Sequence, residues 1–144
     1  MNRVTALPDI VLSEDPDQGD VLRLEERLYE YNVERTGISD GRVLALFARD
    51  ETCSVIAGLY GWTWGHACEI RSLWVDERWR RQGLGTRLLS MAEYEARLRG
   101  ARQIVLSTHS FQAPAFYRRF GFEVLVGVSD YPVGHDHLLL RKSL

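Results

Sequence analysis

Apolar residues along the chain fall into two helical stripes and a series of short alternating runs. Residues 3–12 alternate well enough for a strand, although Pro8 restricts it to a sheet edge or breaks it. Acids then cluster in "SEDPDQGD", a helix-start composition, and 17–35 carry Val21, Leu24, Leu28 and Tyr31 at helical spacing. A loop follows at 36–41. The runs 42–50 and 54–62, joined by the short polar "DETCS", predict a β-hairpin, and 66–75 adds a third strand to an antiparallel meander. A second stripe, Leu84, Leu88, Ala92 and Ala96, predicts a helix over 84–99 that Gly100 ends. The remainder reads as a buried strand at 102–108, a short helix at 112–120 stopped by Gly121, and strands at 122–128 and 135–144.

The predicted order is therefore β-α-β-β-β-α-β-α-β-β, a single-domain α/β fold with a mixed central sheet. Its β-α-β crossover from 66–75 to 102–108 is right-handed and leaves those two strands parallel. A chain of 144 residues fits one domain, 1–144, with a core that needs no metal or disulfide. No repeat or long linker interrupts it. The formal net charge of −2 gives no reason to expect a nucleic-acid or membrane-surface partner. No apolar run is long enough to span a bilayer, and the N-terminus lacks a leader-like apolar core, so the expectation is a cytoplasmic protein. Cys53 and Cys68 fit no metal spacing, and the "HDH" of His135 to His137 lacks a third partner, so no metal is expected.

One stretch does not fit a plain helix start. In "WRRQGLGTRLL" two glycines, Gly83 and Gly85, open the second helix behind Arg80 and Arg81. Glycine is poor in helices by roughly 1 kcal/mol per position. At a helix start, however, it bends the backbone and lets a ligand reach the unpaired first amides. Those amides, the helix dipole and two arginines form a site for a phosphate group. A P-loop would need a lysine after Gly85, and a dinucleotide fingerprint would need a third glycine where Leu88 stands.

The pattern present, R-x-x-G-x-G at Arg80, Gly83 and Gly85, resembles the pyrophosphate loop of the GNAT superfamily of acetyl-CoA-dependent N-acetyltransferases. Leu73, Trp74 and Val75 end a strand just ahead of it, as in that family. Ala113, Tyr117, Gly121 and Phe122 match its second motif, A-x-x-x-Y-x-x-x-G-F. The likeness is strongest over 69–122. It implies acetyl transfer from acetyl-CoA, used as co-substrate, to an amine. It implies a pantetheine edge at Leu73, Trp74 and Val75. Arg80, Arg81, Gln82, Gly83, Leu84, Gly85 and Thr86 are implied as the pyrophosphate loop. Ser110 stands where many members have an asparagine that contacts the coenzyme.

Tyr117 matches the family's frequent general acid, though a packing tyrosine beside Phe116 and Phe120 also fits. Glu69, eleven residues before Arg80, is the expected base; an ion pair with Arg71, two residues on, is the alternative. Trp62, Trp64 and His66, the loop 129–137 with Asp130 and Asp136, and Tyr29, Tyr31 or Asn32 on the first helix are candidate walls for the acceptor. The expected acceptor is a primary amine of a small molecule attacking directly in a ternary complex. The competing expectations are a protein or peptide N-acetyltransferase and a non-catalytic acyl-CoA-binding module. A homodimer is the default assembly.

Overall fold

The computed structural model describes residues 6–144, and the chain divides after Gly37 into two compact units. The first contains helix α1, Gln18–Thr36. Asp17 caps it, its carboxylate accepting from the amides of Gly19 and Asp20 at 2.8 and 3.3 Å. Gly37 ends it in the left-handed region at φ 72°. The first strand expected over 3–12 is not formed in its described part. Residues 3–5 lie outside the described residues, and 6–12 carry no strand. Pro8 has no N–H to offer a ladder, and Leu7 and Ile10 are almost fully exposed.

The second unit has strands β1 (Arg42–Arg49), β2 (Val55–Trp64) and β3 (Ala67–Val75), then a short 3-10 turn at Glu77–Trp79. Helix α2 (Leu84–Leu98), strand β4 (Gln103–His109), helix α3 (Pro114–Arg119), and strands β5 (Glu123–Ser129) and β6 (Asp136–Ser143) follow. Among the described residues these strands form one sheet in the order β1-β2-β3-β4-β6-β5. Only β3 and β4 are parallel, as the crossover through α2 requires.

The α2 stripe buries Leu88, Leu89, Ala92 and Ala96 against Leu44, Leu59, Cys68, Ile70, Ile104, Leu106 and Leu140 of the sheet. Burial in this core pushes the Cys68 thiol up to about 11, so it packs as a small apolar group. Glu93 of α2 pairs with Lys142 of β6 at 2.6 Å and tethers the helix to the far strands.

Two irregularities shape the sheet where β3 leaves its neighbours. Opposite β2 the register jumps from Gly61↔Ile70 to Tyr60↔Ser72, so Arg71 is a bulge residue. The side facing the core therefore changes from Cys68 and Ile70 to Leu73 and Val75. On its other edge β3 pairs with β4 only over Ala67–Ile70 against Gln103–Leu106. Beyond that the two parallel strands separate.

Candidate active site

The separation of β3 and β4 opens a cavity of about 980 Å³. Arg71 to Val75 line one wall, Ser107 and Thr108 the other. The α2 start and one face of α3 complete it. Its volume sits at the upper end of ordinary ligand sites. The polar groups of β3 beyond Ile70 have no β4 partners, so an extended chain can bond to them as an added strand. Tyr117, Leu73, Trp74, Val75, Arg80, Arg81, Gly83, Leu84, Gly85 and Thr86 all line this one cavity.

The loop between β3 and α2 is built for an anion. Asp76 caps the 3-10 turn through the amide of Arg78, and Arg78 Nε returns to the same carboxylate at 3.1 Å. The Arg78 hydrogen bond holds the Asp76 carboxyl below the usual carboxylate range. Arg80 Nε donates to the Val75 carbonyl at 2.9 Å, which fixes this arginine at the strand end. Arg81 and Gly83 both adopt positive φ, 61° and 79°, on either side of Gln82. Such a backbone gathers successive N–H groups into a concave anion site. Among the described residues, none of the amides from Arg81 to Thr86 has a hydrogen-bond partner, and α2 has no side-chain cap.

Gly83 is required by its φ; a Cβ there would meet nothing within 4 Å. Gly85 plays a different part. A Cβ would point between Phe116 and Val75 at 3.7 and 3.9 Å, so the glycine keeps cavity space open. Arg71, Arg80, Arg81 and Arg119 line the cavity, and no carboxylate does. That charge balance suits a polyphosphate.

Tyr117 is buried on α3, its ring edge-on to Phe116 and Phe122 at 5.2 and 5.9 Å. Burial pushes its phenol above the ordinary tyrosine range, so it is protonated at neutral pH. Its hydroxyl has no partner among the described residues, which leaves the O–H available to the cavity it lines.

Three expected residues stand outside the lining. The Gln82 side chain donates to the Arg78 carbonyl at 3.4 Å, so only its backbone faces the task expected of it. Ser110 is tied to β6: its amide donates to the Asp136 carbonyl at 2.8 Å, and its Oγ accepts from the Asp136 amide at 3.0 Å. Gln112 occupies the lining near it. Gln112 Oε1 accepts from Thr108 Oγ1 and from the His109 amide at 3.1 and 2.8 Å, which turns its amide nitrogen loose. Glu69 pairs with Trp62 and Val105 in the ladders, and its carboxylate has no partner among the described residues. The bulge at Arg71 removes the alternative reading of Glu69 as an ion-pair partner, because Glu69 and Arg71 no longer sit two regular positions apart.

Trp62, Trp64 and His66 do not line the cavity. Trp62 lies edge-on to Tyr60, and Trp64 Nε1 donates to the Ile38 carbonyl at 2.9 Å. His109, Phe111, Tyr131, His135 and His137 form a ring cluster at the end of β4 that the sequence did not announce. The β4–β6 register is what joins them, setting His109 against His137. Among the described residues no group of three His, Cys, Asp or Glu is placed to hold a metal, and no helix is long and apolar enough to cross a membrane.

A family model described as "Acetyltransferase (GNAT) domain" matches residues 39–124, which include β3, the glycine loop and α3. The chain is 37% identical over 117 residues to the blasticidin-S acetyltransferase of Streptomyces morookaense, covering 76% of this chain and 84% of that protein. A solved chain from Agrobacterium tumefaciens is 33% identical with a TM-score of 0.83, over 95% of this chain and all of that one. An acetyltransferase structure from Bacillus cereus is 28% identical with a TM-score of 0.75, over 93% and 98%. With its splayed strands, uncapped glycine loop and buried tyrosine in the matched segment, this chain belongs to the GNAT acetyltransferase family and is an acetyl-CoA-dependent N-acetyltransferase.

Proposed function

We propose that this protein, working as one N-acetyltransferase domain, acetylates a primary amine on a small molecule by direct attack in a ternary complex. The observation that carries the reading is the single cavity in which the unpaired β3 edge, the free amides of 81–86 and Tyr117 converge. Acetyl-CoA supplies the acetyl group as a thioester, already activated toward amines.

The residues divide the remaining work. Amides 81–86 and Arg80 hold the pyrophosphate, and the edge from Arg71 to Val75 aligns the pantetheine arm, which supplies proximity. Tyr117 gives its phenolic proton to the departing sulfur. The likeness to the blasticidin-S acetyltransferase favours blasticidin S, or a small molecule like it, over a peptide.

The test is coenzyme A thiol release with blasticidin S, aminoglycosides, polyamines, amino acids and short peptides as acceptors. A small amine is expected to react at least tenfold faster than any peptide. Peptides as the best acceptors would move the reading to protein acetylation. Tight acetyl-CoA binding with no acceptor turned over would favour a binding module.

A further inference from the structure

Proton removal from the amine is the step for which the cavity lining holds no group. Its titratable members are Tyr117 and four arginines, none of which accepts a proton at neutral pH. We propose that His109 is the base, a role that rests on the small-amine reading above.

His109 lies between lining residues on both sides, with Ser107 and Thr108 before it and Phe111 and Gln112 after it. It shares a strand face with Ser107, where β3 and β4 have just parted. Its ring stacks on Phe111 at 5.2 Å and 11°. Glu69 is held at the closed end, opposite Val105. His109 lies four positions beyond Val105, so the two candidate bases stand ~13 Å apart along the strand and serve different places.

The hydrogen bonding fixes the tautomer. His109 Nδ1 lies 2.9 Å from the Tyr131 carbonyl oxygen, which only accepts, so Nδ1 carries the hydrogen. In the neutral ring Nε2 then carries the lone pair. Among the described residues Nε2 has no hydrogen-bond partner, and it is not a sealed atom, unlike His137 Nδ1. The groups around the ring are His137 of β6 at 4.7 Å, Tyr131 of the β5–β6 loop at 5.5 Å, and His135, which meets Phe111 edge-on at 4.9 Å. Among the described residues no carboxylate pairs with it.

In the step, the amine nitrogen bonds to the acetyl carbon and its proton passes to His109 Nε2. The carbon–sulfur bond breaks, sulfur leaves with the electron pair, and that sulfur takes the Tyr117 proton. Solvent then carries the proton from His109 and returns one to Tyr117.

The experiment compares pH profiles of kcat/KM for wild type, His109→Asn and Glu69→Gln, with blasticidin S or the fastest amine of the panel. Asparagine keeps an N–H for the Tyr131 carbonyl and removes the basic nitrogen. The wild-type profile is expected to rise with pH along a limb that reports the loss of one proton. His109→Asn is expected to lose that limb and about 10²-fold in rate at pH 7, with acetyl-CoA affinity within about twofold. The limb is expected to stay in Glu69→Gln. Imidazole nitrogen NMR of the wild type, without substrate, is expected to find neutral His109 in the Nδ1–H form. A His109→Asn profile like the wild type's, a limb lost in Glu69→Gln, or the Nε2–H form overturns His109 alone. No turnover with any amine overturns the small-amine reading and this proposal with it.

Discussion

Gly61→Ala is expected to lower the melting temperature by about 10 °C and to weaken acetyl-CoA binding through the sheet rather than by contact. At the bulge β2 and β3 approach so closely that a Cβ on Gly61 would overlap the Glu69 carbonyl oxygen. It would also come to 3.0 Å from the Glu69 carbonyl carbon and the Ile70 Cα. These are backbone atoms of a central strand, so no side chain can swing aside. Overpacking typically costs ~1–3 kcal/mol, and a backbone overlap belongs at the top of that range. For a domain of this size ~3 kcal/mol corresponds to about 10 °C. The strands can accommodate the methyl only by separating at the point that directs β3 away from β4. The comparison is Gly58→Ala on the same strand, whose Cβ would press chiefly on the Phe47 ring, a side chain more than half exposed. That variant is expected to shift melting by less than about 3 °C, roughly a 1 kcal/mol effect. Equal melting temperatures for the two variants would mean that the close approach at the bulge does not constrain the sheet.

Tyr117→Phe is expected to reduce kcat by about 10²–10³-fold, in the range of a positioned proton donor. The KM for acetyl-CoA is expected to stay within about threefold. The phenyl ring keeps the edge-on contacts to Phe116 and Phe122, so stability changes little. Burial raises the phenol, so the donor stays protonated through neutral pH and into the alkaline range. The loss is therefore expected to be the same at pH 6 and pH 9, unlike that of His109→Asn, which is a loss of base. A kcat within threefold of wild type would show that sulfur receives its proton from elsewhere.

Much of this site was legible before any coordinates. Leu84, Leu88, Ala92 and Ala96 form a stripe strong enough to place α2, and two glycines at its start are intelligible only as backbone left bare. The parts that were not legible depend on register. The apolar positions Cys68, Ile70, Leu73 and Val75 step by two, three and two, which is the trace of the bulge at Arg71. Read as a regular strand, the segment puts Glu69 beside Arg71 and suggests an ion pair that the bulge removes. The splay of β3 from β4 leaves no local trace, because it is a property of how far two distant segments pair. Ser110 reads as a coenzyme contact by its motif position, while the β4–β6 pairing claims its amide and hydroxyl oxygen for Asp136. The same pairing assembles the histidines, which are 28 positions apart at His109 and His137. Arg81 at positive φ was equally hidden, since arginine carries no preference for that region.

On the function proposed above, uncapped amides at the α2 start and the free β3 edge hold acetyl-CoA. Residue-resolved amide hydrogen exchange, with and without saturating acetyl-CoA, tests it most directly. Exchange is expected to slow at least tenfold for amides between Arg81 and Thr86 and for those between Arg71 and Val75 that face β4. The same experiment on Gly83→Val is expected to lose the protection at 81–86, because a β-branched residue resists the φ of 79°. Acetyl-CoA that binds while these amides exchange at their unliganded rates would place the coenzyme elsewhere.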